Sequence, residues 1–298
     1  MVYSEKPLKN VSIAIIGCGD IGGRIALLLQ NSSYPVKGYT RNKATIAQLS
    51  KLGIGAKELD LDSLSNESRK TLRLFSEQVV FYFAPPPASG ETDTRIRAWL
   101  EALDTSSLPR RILYISTTGV YGDHQGKHVN EKTPTNPQSD RAKRRLDAEQ
   151  ALADFARKHS VEYVILRVPG IYGENRLPRK RLMAQTPMLR PEVSPITNRI
   201  HEDDLATCCV TACLQSNSAE IYNVSDGDNM TMSDYFIQVA KHLNLPTPPR
   251  ISWYEAETML SASMLSYLKE SRIVDNTKII NQLGITLKYP SLSSFLKL

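Results

Sequence analysis

No run of about 18 uncharged apolar residues occurs in this 298-residue chain, which excludes a membrane-spanning helix. The opening Met1-Val2-Tyr3-Ser4-Glu5-Lys6 also lacks an apolar stretch of signal-peptide length, so the expectation is a protein that is not exported and stays in the cytoplasm. Cysteine is scarce. The four cysteines, Cys18, Cys208, Cys209 and Cys213, form no Cys-x-x-Cys pair, and no histidine stands at ligand spacing from them. They are read as small core residues, and no metal site is predicted. The two basic clusters, Arg141-Ala142-Lys143-Arg144-Arg145 and Arg176-Leu177-Pro178-Arg179-Lys180-Arg181, have no aromatic residues interleaved. That removes a stacking platform for single-stranded nucleic acid. Internal repeats and low-complexity tracts are missing too. The net charge of +6 permits an anionic ligand without requiring one.

What is present alternates. Val11 to Ile16 is a short apolar run ending in glycine, as a buried parallel strand should read. Ile21, Ile25, Leu28 and Leu29 then recur at helical spacing, stopped by Asn31-Ser32-Ser33-Tyr34-Pro35. Val36 to Tyr39 is a second strand, followed by a helix from Ala44 to Leu52. Val79 to Phe83, Arg111 to Ile115 and Tyr163 to Leu166 read as further buried strands, with a charged helix from Arg141 to Arg157 before the last. This pattern predicts an α/β fold, a Rossmann-type doubly wound parallel sheet with a smaller C-terminal substrate lobe. Residues 10–173 and 200–225 are assigned to the dinucleotide-binding domain, and 174–199 with 226–298 to the small lobe. A monomer or homodimer is expected.

Gly17-Cys18-Gly19-Asp20-Ile21-Gly22 joins the first strand to the first helix. Glycines at these positions serve a tight turn, close backbone approach to a pyrophosphate, and close packing of helix on strand. The helix N-terminus offers free N–H groups to the phosphates. An NAD site usually carries a carboxylate about 20 residues further on. Here no acidic residue lies between Asp20 and Glu58, and the second strand ends in Thr40-Arg41. Arg41 can make paired hydrogen bonds to a 2′-phosphate, so NADP(H) is favoured over NAD(H). Stacking of Arg41 on the adenine is the alternative. Ala84 and Pro85, where the Val79–Phe83 strand halts, join the candidate cofactor residues.

Beyond the glycine loop, the chain resembles the extended short-chain dehydrogenase/reductase superfamily, in its NAD-dependent epimerase/dehydratase group. The resemblance rests on Ile115 to Gly122, Leu166 to Gly173, Asn198 to Leu205 and Ile221 to Asp226. It implies that Asp60-Leu61 holds the adenine, that Pro169, Gly170 and Ile171 contact the nicotinamide end, and that Thr117 polarises the substrate oxygen. The family's proton chemistry uses a Tyr-x-x-x-Lys pair, and the corresponding positions here hold Arg141 and Arg145. The literal Tyr39 to Lys43 match falls at the adenine end. Arginine stays protonated and neither gives nor takes a proton near pH 7. Four residues apart, Arg141 and Arg145 share one helix face, suited to a carboxylate or phosphate if it meets the cleft. Tyr121, Tyr172, His124, His128 and His201 are alternative proton sources. Two functions are carried forward: an oxidoreductase or epimerase/dehydratase on a small anionic metabolite, or a catalytically silent NADP(H)-binding regulator.

Overall fold

The computed structural model describes residues 8, 11–64, 78–217 and 219–297. The chain start read above for an export signal lies outside the described residues, as do residues 10 and 298 at the assigned domain bounds. Seven strands form one parallel sheet: β1 (Ile13–Ile16), β2 (Val36–Thr40), β3 (Gly55–Glu58), β4 (Val79–Tyr82), β5 (Arg111–Thr117), β6 (Glu162–Val168) and β7 (Glu220–Asn223). Their order is β7-β6-β5-β4-β1-β2-β3. The chain thus winds outward from β1 in one direction and from β4 in the other, and a crevice opens where their C-terminal ends part.

The apolar runs form strands because both faces are covered. Ile13 and Ile15 of β1, Val79 and Phe81 of β4, and Val164 and Leu166 of β6 share one buried cluster. Alternate residues, Ala14, Ile16, Val80, Tyr82 and Ile165, fill the cluster on the other face. Helices α1 (Asp20–Asn31) and, near the chain's later half, Glu202–Gln215 cover the first face. The second is covered by Thr94–Ala102, through Ile96, Trp99 and Leu100, and by Asp140–His159, through Ala148, Leu152 and Ala156. These take the labels α3 and α4, with Lys43–Lys51 as α2 and Glu202–Gln215 as α5.

Outside the sheet, helix α6 (Met232–His242) packs Tyr235, Phe236, Val239 and Ala240 against Tyr172, Leu182, Leu292 and Leu296. Two short helices, Trp253–Met259 and Ala262–Leu268, enclose a further cluster around Leu189 and Ile251. The segment after them divides. Ile273-Val274 pairs with His128-Val129, and Ile279 and Ile285 join the cluster beneath α1 and α5. Among the described residues no helix is long and apolar enough to cross a membrane. All four cysteines are free and buried, and burial pushes the Cys18 and Cys208 thiols up to about 12.

Candidate active site

The three loop glycines do separate things. Gly17 has φ +77°, and a Cβ there would fall 2.4 Å from the backbone nitrogen of Ala84. Only glycine allows that turn and that approach to the end of β4. At Gly22 a Cβ would stand 3.1 Å from both the Gly17 carbonyl and Ile15 Cγ2, so α1 lies tightly on β1. Gly19 is different: its Cβ would meet nothing nearer than the Gly17 carbonyl at 4.0 Å. It caps α1 without a side-chain hydrogen bond, which leaves first-turn N–H groups to a ligand. A pyrophosphate laid on this loop therefore meets bare backbone.

Gly17 and Gly19 border a cavity of about 260 Å³, whose walls also include Thr40, Arg41, Asp60, Leu61, Asp62, Ala84, Pro85 and Arg95. Of the candidate cofactor residues, Asp20 points elsewhere. Its carboxylate meets Arg176 at 2.5 Å and Arg24 at 3.6 Å. Arg24 and Arg176 both continue to Glu202, tying α1 to the start of α5.

Beyond the loop lies a larger cleft of about 700 Å³, within the usual range for small-molecule sites. Ile21, Thr117, Arg141, Arg145, Pro169, Gly170 and Ile171 all line it. The Thr117 hydroxyl oxygen accepts from the Gly119 N–H at 3.2 Å, so its own hydrogen can be donated into the cleft. Arg145 Nη1 donates to the Ile115 carbonyl at 3.0 Å and the Tyr114 hydroxyl at 3.2 Å. Arg141 crosses to the small lobe, donating to Ser266 Oγ at 2.8 Å with its guanidinium 3.6 Å from the Tyr267 ring centroid. Both arginines thus belong to the cleft wall.

Sequence reasoning missed three more groups here. Arg199 stacks on Tyr235 at 3.7 Å and reaches the Met232 sulfur at 3.2 Å, and burial pushes its pKa down. Arg272 pairs with Glu270 at 2.9 Å. Tyr267 is half exposed. Among the described residues Arg141, Arg145 and Arg199 have no carboxylate within ion-pair distance, whereas Arg24, Arg97, Arg111, Arg167 and Arg176 each have one. Arg199 lies inside the quoted Asn198–Leu205 segment, so its charge was visible. Its surroundings, built from α6, were not.

None of the five alternative proton sources lines the cleft. The Tyr121 hydroxyl donates to Asn223 Oδ1 at 2.8 Å and that of Tyr172 to the Tyr289 carbonyl at 3.4 Å, and burial pushes both phenols up. His124 Nε2 lies 3.2 Å from the Tyr121 carbonyl. His128 is in the short ribbon with Ile273. His201 Nδ1 accepts from the Asp203 N–H at 3.1 Å, capping α5. Besides its arginines, the ionisable side chains lining the cleft among the described residues are Tyr267 and Glu270. Among the described residues no cluster of three or more His, Cys, Asp or Glu could hold a metal ion.

Known proteins share this plan. The model of the NAD dependent epimerase/dehydratase family matches residues 13–225. The Escherichia coli protein YeeZ is 26% identical over 283 residues, covering 93% of this chain and 96% of its own. Among solved structures, a functionally unknown conserved protein from Silicibacter pomeroyi superposes with TM-score 0.77 at 23% identity over 97% of both chains. A UDP-glucuronic acid 4-epimerase from Bacillus cereus, solved in complex with NAD, gives TM-score 0.76 at 20% identity over 96% of both.

Proposed function

This chain belongs to the NAD dependent epimerase/dehydratase family, and on that premise we propose that it is an enzyme, an NADP(H)-dependent oxidoreductase or epimerase/dehydratase acting on a small anionic metabolite. One observation carries the substrate class. Three guanidinium groups that have no carboxylate partner among the described residues, those of Arg141, Arg145 and Arg199, line the cleft that Thr117 enters. Partly buried cations left unneutralised by the fold favour an anion in the same space.

The dinucleotide fits the residues present. Its pyrophosphate has the open backbone at Gly19, and its adenosine has the cavity that includes Asp60, Leu61, Ala84 and Pro85. Arg41, 64% exposed and paired only with Asp62 at 3.2 Å among the described residues, lines the same cavity, and a guanidinium there would suit a 2′-phosphate, which supports NADP(H) over the NAD of the Bacillus cereus relative. Pro169, Gly170 and Ile171 would hold the nicotinamide end of the cofactor, which when bound would supply or accept a hydride. The rest falls to this chain. Arg141 and Arg145 hold the substrate's carboxylate or phosphate, and Thr117 donates a hydrogen bond to the oxygen on the reacting carbon. Helix α4 carries no tyrosine, so the proton has to come from another group. General acid–base help is typically worth about 10²–10⁴ in rate, and catalysis that relies on Thr117 alone is slow.

The test is a panel of small keto acids and neutral ketones, followed by NADPH and NADH absorbance. Wild type should reduce a keto acid with NADPH in preference to NADH, and Arg41→Ala should narrow that preference. Arg141→Tyr with Arg145→Lys should lose keto-acid affinity by about tenfold or more, as charge-assisted contacts worth about 1.5–3 kcal/mol disappear. The same double variant should gain slow reduction of neutral ketones. If wild type turns over nothing and the variant leaves anion affinity unchanged, the enzyme reading fails and a cofactor-sensing regulator takes its place.

A further inference from the structure

Asp62 lies between two guanidinium groups on the wall of the adenosine-side cavity. Its Oδ1 accepts from Arg95 Nε at 2.6 Å, and its Oδ2 accepts from Arg95 Nη2 at 2.7 Å and from Arg41 Nη1 at 3.2 Å. The arginines come from opposite sides. Arg41 follows β2, and Arg95 stands in the first turn of α3, whose start is fixed by the Asp93 carboxylate accepting from the Arg95 and Ile96 N–H groups. Arg95 also donates to the Pro85 carbonyl at 2.9 Å and the Pro86 carbonyl at 3.3 Å, so its guanidinium stays placed without Asp62. Asp62 has more freedom. Its backbone N–H is held by Asp60 Oδ1 at 3.0 Å, while its side chain is 45% exposed and can turn to solvent.

We infer that Arg41 and Arg95 form a two-armed site for a phosphomonoester, and that Asp62 occupies it until the cofactor's 2′-phosphate takes its place. This rests on the NADP(H) reading above and adds Arg95 and Asp62 to it. Once Asp62 turns to solvent, the guanidinium groups of Arg41 and Arg95 are left facing the cavity with only Asp60, among the described residues, as a carboxylate on the same wall. A phosphomonoester carries about −1.5 to −2 and three acceptor oxygens, enough to serve both forks where a carboxylate serves one fork and one arm. A ribose 2′-hydroxyl is neutral and cannot make that exchange. It could only donate to Asp62 in place, which is the rival arrangement and would favour NAD(H). The Arg95 and Arg41 guanidinium groups hold the Asp62 carboxyl below the usual carboxylate range, so the occupant is an anion at neutral pH.

Calorimetric titration of the full chain with 2′,5′-ADP and with 5′-AMP, which differ only in the 2′-phosphate, decides between them. Wild type should prefer 2′,5′-ADP. Arg95→Gln should cut that preference by about tenfold. Asp62→Asn, an exposed and nearly isosteric change, should tighten 2′,5′-ADP several-fold and leave 5′-AMP unchanged. Weaker 5′-AMP binding in Asp62→Asn would mean that the carboxylate holds a ribose hydroxyl, and the inference is wrong. A preference that responds to Arg41→Ala but not to Arg95→Gln or Asp62→Asn overturns the two-armed site and leaves the NADP(H) reading standing. No preference in wild type removes both.

Discussion

Replacing Gly19 by valine should separate cofactor binding from folding. The Cβ of the added side chain would have the Gly17 carbonyl, at 4.0 Å, as its nearest non-local neighbour. Its cost to the apo protein is then mainly the loss of glycine at the cap of α1, at most about 1 kcal/mol. Such a cost moves Tm by about 2–4 °C in proteins of about 150–250 residues, and less in a longer chain. The same side chain projects into the space where phosphate oxygens would sit. Losing two charge-assisted N–H contacts at about 1.5–3 kcal/mol each weakens NADPH binding by more than about a hundredfold. Gly22→Ala is the matched control. Its Cβ would press on the Gly17 carbonyl and Ile15 Cγ2 at 3.1 Å, so about 1–3 kcal/mol of overpacking should appear as lost stability. Calorimetric titration with NADPH and thermal melts of both apo variants give the two readouts. Near wild-type affinity in Gly19→Val, or a larger Tm loss there than in Gly22→Ala, refutes the division of labour.

Stability should also depend on pH through His201. Burial holds its pKa below the ordinary value of about 6.5, so the unfolded chain takes up the proton first. Its contribution is fully present above pH 6.5 and shrinks as pH falls through that value towards the lowered folded pKa. His201→Asn keeps a cap acceptor without the titration, and urea midpoints from pH 7.5 to 5 should fall more steeply for wild type than for the variant; parallel curves would show that His201 plays no part. Glu149 accepts from Arg167 at 2.7 Å and from Ser116 Oγ at 2.5 Å, with both charged side chains about 5% exposed. Glu149→Ala should therefore cost about 3–5 kcal/mol in urea unfolding by stranding the Arg167 charge, and a loss below 1 kcal/mol would contradict that account.

Strands β1, β4, β5 and β6 were legible because both their faces are buried, which writes an unbroken apolar run into the sequence. Strand β3 was not. Gly55-Ala56-Lys57-Glu58 is a mostly exposed edge, ordered by its pairing with β2, and exposed edges carry no apolar pattern. Helix α3 did leave a signal: Asp93 as cap, then Ile96, Trp99 and Leu100 at helical spacing. It was masked by the prolines and polar residues before it. The glycine loop could be read because its meaning is local, from strand to turn to helix. The environment of Arg141 could not, since its partner Ser266 is 125 residues away. Local chemistry is written in the sequence, and non-local neighbours are written only in the fold.

That distinction bears on what the cleft arginines mean. An unpaired cation withdrawn from water is costly, and several arginines elsewhere in the fold are neutralised, although Arg144 rests on the Gly90 carbonyl and Arg181 on the Pro187 carbonyl. Arg167 has Glu149, Arg111 has Glu162 at 2.5 Å, and Arg24 has both Glu202 and Asp203. On the cleft wall Arg272 is paired with Glu270, but among the described residues three other arginines have no carboxylate. Arg141 leans on a tyrosine ring and a serine hydroxyl, Arg145 on a carbonyl and a phenol, and Arg199 on a ring and a thioether. A ring face offers a guanidinium about 0.5–2 kcal/mol and fixes its plane without neutralising it. Those neighbours orient the charge and leave it for something else. Sites where a sequence departs from its own stabilising pattern are where function is expected. In this molecule the departure lies beside Thr117, at the C-terminal edge of β5, in the crevice that the strand order opens.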